Sequence, residues 1–315
     1  MPGILRLWAV TVALADLMAG GASAAEPPKV VASITPVHSL VAGVMAGVGS
    51  PTLLLKGGAS PHAYALKPSD ARALASARLV FWIGEDMERF LERPLKTLAR
   101  RARKIELIEA KGVTVLKQRE GGVWGEHDSE KDGHAEKHGE ENGHDAHVWL
   151  DPRNAKAMTA SIVAALARAD PGNAAAYRAN GARLAAKLDT LDRELDGALA
   201  PVRGAPFIVF HDAFQYFERR YRLRAAGAIT LDPGRTPGAR RLAEIRKVIG
   251  ARGARCVFAE PQFRPSLVAT VIEGSGARAA TLDPLGARLA PGPEAYFTLM
   301  RRLSTSLVGC LKGND

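Results

Sequence analysis

NAAAYRANGARLAAKLDTLDRELDGAL, residues 173–199, is the stretch on which the reading of this chain turns. It holds no proline, and Leu184, Leu188, Leu191, Leu195 and Leu199 fall at steps of four, three, four and four. Those steps place the leucines in one stripe on a helix. Pro171-Gly172 stands before the stretch and Pro201 after it, both suitable stops. A helix of about 27 residues runs about 40 Å. That is long for a helix inside one core and suits a stiff strut between two bodies. The alternative is two shorter helices broken at Gly181.

On either side of the strut, short β-rich runs alternate with helical ones. Before it, strands are expected at residues 30–34, 52–55, 79–83 and 105–107, with helices at 69–77 and 89–99. After it, strands are expected at 207–210, 225–229, 256–259 and 279–282, with helices at 238–250, 265–274 and 293–308. This alternation predicts an α/β fold: two lobes with parallel sheets flanked by helices, joined by one long rigid helix. The length of 315 residues agrees with about two domains, each large enough to bury its own core. The expected division is a first lobe over 25–155, a connecting helical segment over 156–203 and a second lobe over 204–315.

With 47% hydrophobic and 24% charged residues, the chain is neither wholly disordered nor collagen-like. Aromatics are only 6%, so aliphatic side chains must supply most of the core. The net charge is +10, although residues 126–145 carry eight acids and only two lysines. A basic surplus can mean nucleic acid. Here the arginines are spread along Ala-rich helical stretches (Arg72, Arg78, Arg168, Arg178, Arg183), and a solvated surface explains them without a nucleic-acid partner.

Arg6 precedes an apolar run over residues 7–19, broken by Asp16, and Ala22-Ser23-Ala24 supplies small residues for cleavage. Residues 1–24 therefore read as a signal peptide, with a mature chain from Ala25 outside the cytoplasm. The run is too short to span a bilayer, so the protein is not expected to be membrane-embedded. Cys256 and Cys310 are the only cysteines. In an oxidising compartment such a pair is most simply a disulfide. Closing so long a loop stabilises by roughly 4 kcal/mol in the chain-entropy model. A thiolate metal pair is the rival reading.

The chemistry lies in the histidines. Of eight, five fall between His127 and His147. Residues 121–145 hold His127, His134, His138 and His144 among acids, with no apolar periodicity. This segment reads as a loop without a core of its own. Imidazole and carboxylate together suit Zn²⁺ and similar ions, so the loop is a candidate accessory metal binder. The alternative is a solvated polyampholyte.

Other histidines sit against strands: His62 just after residues 52–55, His211 at the end of Phe207-Ile208-Val209-Phe210, and His147 at the loop exit. Asp283 ends a further strand. In open α/β sheets ligands bind beyond the carboxyl ends of strands. Two lobes face to face would bring these groups together, and three imidazoles with a carboxylate or water make a tetrahedral Zn²⁺ site.

Six stretches then carry a resemblance: Gly58-Ala59-Ser60-Pro61-His62-Ala63-Tyr64, Lys67-Pro68-Ser69-Asp70, His147-Val148-Trp149-Leu150-Asp151-Pro152, Phe210-His211-Asp212-Ala213-Phe214, Val257-Phe258-Ala259-Glu260-Pro261-Gln262-Phe263 and Leu282-Asp283-Pro284-Leu285-Gly286. Together, and in this order, they resemble the periplasmic zinc-binding proteins of ABC zinc importers (the ZnuA type). The resemblance spans essentially the whole mature chain. It implies a periplasmic receptor, expected as a monomer, that captures Zn²⁺ in an interlobe cleft and passes it to an ABC importer permease. It also implies a His-rich acidic loop before the second ligand and a disulfide in the second lobe, which Cys256 and Cys310 match.

Carried over by motif, His62, His147 and His211 match the three histidine ligands. Some relatives place a metal-reaching Glu just before the first; this chain has Pro61 there. Asp283 matches a carboxylate that binds metal in manganese-type relatives, so Asp283 or a water is expected to complete the shell. Those relatives carry Glu where His211 stands, and nitrogen donors favour Zn²⁺ over Mn²⁺. Glu260 is expected as a carboxylate behind the ligands, Trp82 and Phe210 as hydrophobic wall, and His38 as a packing or supporting polar group. Three competing classes remain: a manganese-type import receptor, a zinc store or chaperone without a transporter, and a zinc hydrolase. The last lacks the HExxH and Gly-x-Ser-x-Gly arrangements.

Overall fold

The structure, a computed structural model, describes residues 26–124, 143–231, 233–234 and 236–313. The segment proposed as signal peptide, and His127, His134 and His138, lie outside the described residues. The first half runs β1 (Val30–Ala32), α1 (Thr35–Val44), β2 (Thr52–Leu53), α2 (Pro68–Ser76), β3 (Leu79–Trp82), α3 (Arg89–Thr97) and β4 (Arg103–Glu106). Its strands pair in parallel in the order β2-β1-β3-β4. A short antiparallel ribbon of β5 (Leu116–Lys117) and β6 (His144–Asp145) follows, then α4 (Pro152–Ala169) and α5 (Ala174–Leu199). The second half runs β7 (Pro206–His211), α6 (Gln215–Tyr221), β8 (Arg224–Thr230), α7 (Ala239–Arg252), β9 (Cys256–Ala259), α8 (Ser266–Ile272), β10 (Arg278–Thr281) and α9 (Ala295–Lys312). This sheet is also parallel, in the order β10-β9-β7-β8.

The strand sequences explain how the sheets are covered. Val-Val-Ala and Leu-Val-Phe-Trp are buried along their whole length, as parallel strands sandwiched between helices must be. Because side chains alternate, successive residues serve different layers. Val30, Ala32, Leu79, Phe81, Phe207 and Val209 face the middle of the molecule. Val31, Val80 and Trp82 face an outer layer with Leu74, Leu91 and Leu95. Ile208 and Phe210 face the corresponding outer layer with Ile245, Ile249, Val268 and Val271.

The middle is where sequence and structure differ most. The leucine stripe of α5 is buried, from Leu184 to Leu199, and belongs to a hydrophobic cluster that also takes in residues of both sheets, α1, α4 and α9. The strut is therefore core itself, and the two halves share that core instead of each owning one. The helix is continuous through Gly181. A Cβ at Gly181 would stand 2.4 Å from Val163 Cγ2, so the glycine sets how closely α4 and α5 approach. Helix α1 escaped the sequence reading because it is buried almost all round and shows no polar face.

Two further expectations are settled here. Cys256, which starts β9, is disulfide-bonded to Cys310 near the end of α9, so the thiolate metal pair is excluded. The segment 121–145 is anchored at both ends, contrary to its reading as one loop. Val123 bridges Gly227 on β8, Trp124 N–H donates to the Ala226 carbonyl at 3.1 Å, and Ala228 N–H donates to the Gly122 carbonyl at 3.0 Å. A side chain at Gly227 would block this approach, since its Cβ would lie 2.8 Å from that carbonyl oxygen. At the other end His144 and Asp145 form β6, and Asp145 is buried. Backbone pairing overrides the polar composition at both edges.

Candidate metal centre

Three chain segments deliver three imidazoles. Ser60-Pro61 bends the chain after β2 into a single 3₁₀ turn, Pro61–Ala63, that presents His62. His147 caps another 3₁₀ turn, Val148–Leu150, two residues beyond β6. His211 is the last residue of β7, and alternation sends it to the face opposite Phe210. One ligand atom from each of the three lies within 4.8 Å of the others. The ring centroids of His62 stand 5.9 Å from those of both His147 and His211. His147 and His211 are buried, whereas His62 is outside the buried set.

Each buried imidazole is oriented from behind by a carboxylate. Asp145 Oδ1 lies 2.8 Å from His147 Nδ1 and accepts the His147 backbone N–H at 3.0 Å. Glu260 Oε1 lies 2.6 Å from His211 Nδ1 and accepts the His211 N–H at 3.2 Å. With the Nδ1 protons so held, both Nε2 atoms turn inward, and they stand 3.3 Å apart. Two lone pairs facing each other at that distance call for a cation or a proton between them. A tetrahedral zinc with bonds of 2.0–2.1 Å places its donors about 3.3 Å apart, so the His147–His211 pair fits such an ion, with a His62 donor atom within 4.8 Å of both.

Burial sets the electrostatics. It holds the His147 imidazole well below the usual histidine range, with His211 adding to the effect. Burial pushes His211 the same way, but the Glu260 carboxylate outweighs it and the net direction is upward. Burial raises Asp145 to about 7, against the opposing pull of the His147 backbone N–H and Arg119. The cavity among the three histidines is about 10 Å³ and is closed by Pro61, Met87, Phe263, Pro284 and Leu285. That is room for about one ion or water and excludes an organic substrate. Phe263 meets the His211 ring edge-on at 5.7 Å, and Trp149 packs beside His147 at 5.3 Å.

The remaining expected residues divide. Glu260 stands behind His211, its Oε1 2.6 Å from the Nδ1. Asp283 does not join the three-histidine group. Its Oδ1 accepts from Leu285 N–H, Gly286 N–H and the Gln262 amide, and its Oδ2 accepts from Ala287 N–H at 2.7 Å. A carboxylate so placed stabilises its own turn, which competes with ligation. Trp82 and Phe210 are corrected as well: both face outer layers, and the wall is Phe263, Met87 and Leu285. His38 is buried, its Nε2 3.2 Å from the Pro51 carbonyl oxygen, and it is a packing residue. His144 is exposed and lies apart from the cluster, with its Nδ1 3.7 Å from Asp86 Oδ2. Asp145 was missed because it reads as the last acid of an acidic run. The usable signal was its place two residues before His147.

The chain is similar to known zinc-uptake proteins. The family model described as zinc-uptake complex component A, periplasmic (ZnuA), matches residues 30–310. The chain is 46% identical to the high-affinity zinc uptake system protein ZnuA of Brucella abortus, over 93% of this chain and 94% of that protein. It is 39% identical to the protein of the same name from Yersinia pestis, over 90% and 91%. Among solved structures, a ZnuA deletion mutant with zinc bound superposes with a TM-score of 0.75 at 26% identity, covering 92% of this chain and all of that one. The periplasmic zinc-binding protein TroA of Treponema pallidum shares the fold, with a TM-score of 0.73 at 18% identity, over 90% of this chain and 99% of that one.

Proposed function

The chain belongs to the ZnuA family of periplasmic zinc-uptake components, and on that premise we propose that His62, His147 and His211 capture one Zn²⁺ between the two sheets. The protein is a zinc-binding receptor of zinc transport, and its working partner is the membrane permease of an ABC importer. The observation that carries the site assignment is the convergence of two buried Nε2 atoms at 3.3 Å, each backed by a carboxylate on its Nδ1. Three neutral nitrogens suit Zn²⁺ over the harder Mn²⁺. A water completes the shell, since the oxygens of Asp283 are engaged by its own turn. Zinc is cargo here, and no catalytic step is assigned.

Arg6, the apolar run after it and Ala22-Ser23-Ala24 support export to the periplasm. No helix among the described residues is long and apolar enough to cross a membrane. His127, His134, His138 and His144 are proposed as weaker accessory binders that concentrate zinc near the centre. The division at residues 155 and 203 is kept as the proposed boundary of the lobes.

The test is twofold. Competition titration should give one tight Zn²⁺ per chain and far weaker Mn²⁺; equal affinities would move the chain to the manganese class. Loaded protein added to the reconstituted importer should stimulate ATP hydrolysis and zinc uptake. A store or chaperone would leave both unchanged, and ester or peptide hydrolysis above the rate of free zinc would mark a hydrolase.

A further inference from the structure

Arg119 sits two residues past β5, on the ribbon whose other strand carries Asp145 and leads to His147. Its guanidinium reaches across to the second half of the molecule. Arg119 Nε donates to both oxygens of Asp212, at 3.1 and 3.0 Å, and Nη2 donates to Asp212 Oδ1 as well. Nη1 and Nη2 donate to Glu218 at 3.1 and 2.9 Å. Asp212 directly follows His211, and Glu218 lies on α6. Both acids are buried. Trp124 covers the open face of the guanidinium, with the cation 3.6 Å from the ring centroid.

A second staple runs in parallel. Tyr216, also on α6, donates its hydroxyl to the Asp145 carbonyl at 2.6 Å and accepts the Leu116 N–H at 2.9 Å. The ribbon that leads to His147 is thereby fixed to the element that follows His211.

We propose that Arg119 is a positioning residue of the metal centre. Its double fork, spanning Asp212 and Glu218, sets the separation of His147 and His211 and thereby the preference for a small tetrahedral ion. The chemistry requires arginine. Five donors in one plane serve two carboxylates at once, whereas the single ammonium of lysine cannot reproduce two bidentate pairs. An ion needing longer bonds and six donors must spread the imidazoles, and the clasp resists that spread.

This inference rests on the site proposed above, and the test separates the two. Arg119→Lys, Tyr216→Phe and the triple variant Arg119→Met/Asp212→Asn/Glu218→Gln, whose three new side chains are uncharged, are compared with the parent protein. The triple variant removes the clasp without leaving buried unpaired acids. Each is loaded with Co²⁺ for its visible d–d spectrum and titrated with Zn²⁺ and Mn²⁺ in competition. Folding is checked by circular dichroism. The expected result for Arg119→Lys and the triple variant is a weaker, octahedral-like Co²⁺ spectrum and at least a tenfold loss of Zn²⁺ over Mn²⁺ preference. Tyr216→Phe should show a smaller change of the same sign. Folded Arg119→Lys and triple variants with the parent's Co²⁺ spectrum and metal ratio would overturn the positioning role. If Arg119→Lys does not fold, the triple variant and Tyr216→Phe decide. A parent protein without tight zinc at the three histidines would overturn the site itself.

Discussion

Replacing Glu260 by glutamine removes one negative charge from behind His211 with almost no change of volume. Glu260 Oε1 holds both the Nδ1 and the backbone N–H of His211. Its Oε2 is buried and has no hydrogen-bond partner among the described residues, so an amide nitrogen placed there breaks no described bond. The glutamine oxygen can still accept the Nδ1 proton, so the tautomer survives and the experiment isolates charge. Loss of such an outer partner weakens metal affinity about 10- to 100-fold, which is about 1.4–2.7 kcal/mol. The pair is buried, where charges are poorly screened, so the upper half of that range is expected. A chromophoric chelator competing at pH 7.5 reads the change directly. Zinc affinity within threefold of the parent would refute the idea that Glu260 strengthens His211 as a donor.

The acid side follows from the two imidazoles. Burial lowers the proton affinity of His147, whereas Glu260 raises that of His211, so zinc competes with a proton chiefly at His211. Affinity should therefore be full at alkaline pH and fall as pH drops through the raised His211 value, with proton release visible by calorimetry in buffers of different ionisation enthalpy; affinity flat down to pH 5 contradicts this. Deleting residues 126–142, which spares β6, should lower total zinc but keep the tight site, whereas His62→Ala or His147→Ala should abolish or severely weaken it. The reverse pattern, by native mass spectrometry, would make the protein a loop-based buffer. Gly181→Ala gains about 1 kcal/mol of helix propensity but overpacks Val163 at about 1–3 kcal/mol. It should destabilise by up to about 2 kcal/mol in denaturant titration, Val163→Ala should relieve it, and stabilisation by Gly181→Ala alone would disprove the close approach of α4 and α5.

The clustering of the three histidines was legible because each sits at the end of a strand or turn in a distinctive local sequence, and strand ends are where parallel sheets expose groups to a cleft. Strand positions were legible for a related reason: short apolar runs bounded by glycine, proline and charge. Face was not legible without register. Trp82 and Phe210 belong to buried strands, and only the pairing shows that both look outward. Asp283 was legible only as a candidate, because a carboxylate at a strand end can serve either a metal or its own turn, and here the backbone N–H groups of residues 285–287 engage it. The Arg119 clasp was invisible, since its partners lie 93 and 99 residues away. Helix α1 was lost because complete burial erases periodicity.

The shared core has a mechanical consequence. A clamshell protein opens by swinging two separately packed bodies about a flexible tether. Here the tether is α5, and its leucines are cemented into a mass that reaches Val30 and Phe81 on one side and Val209 and Phe258 on the other. Interiors packed to crystal density do not stretch, so a wide swing would have to shear that mass. Ion traffic then falls to what lies outside it. Of the three proposed ligands only His62 is not buried, and a single turn of 3₁₀ helix carries it. On the proposed assignment, His147 and His211 form a preassembled half-socket and His62 is its latch. Opening that latch is a loop-sized motion, on the nanosecond-to-microsecond scale of such segments, in place of the slower travel of whole domains.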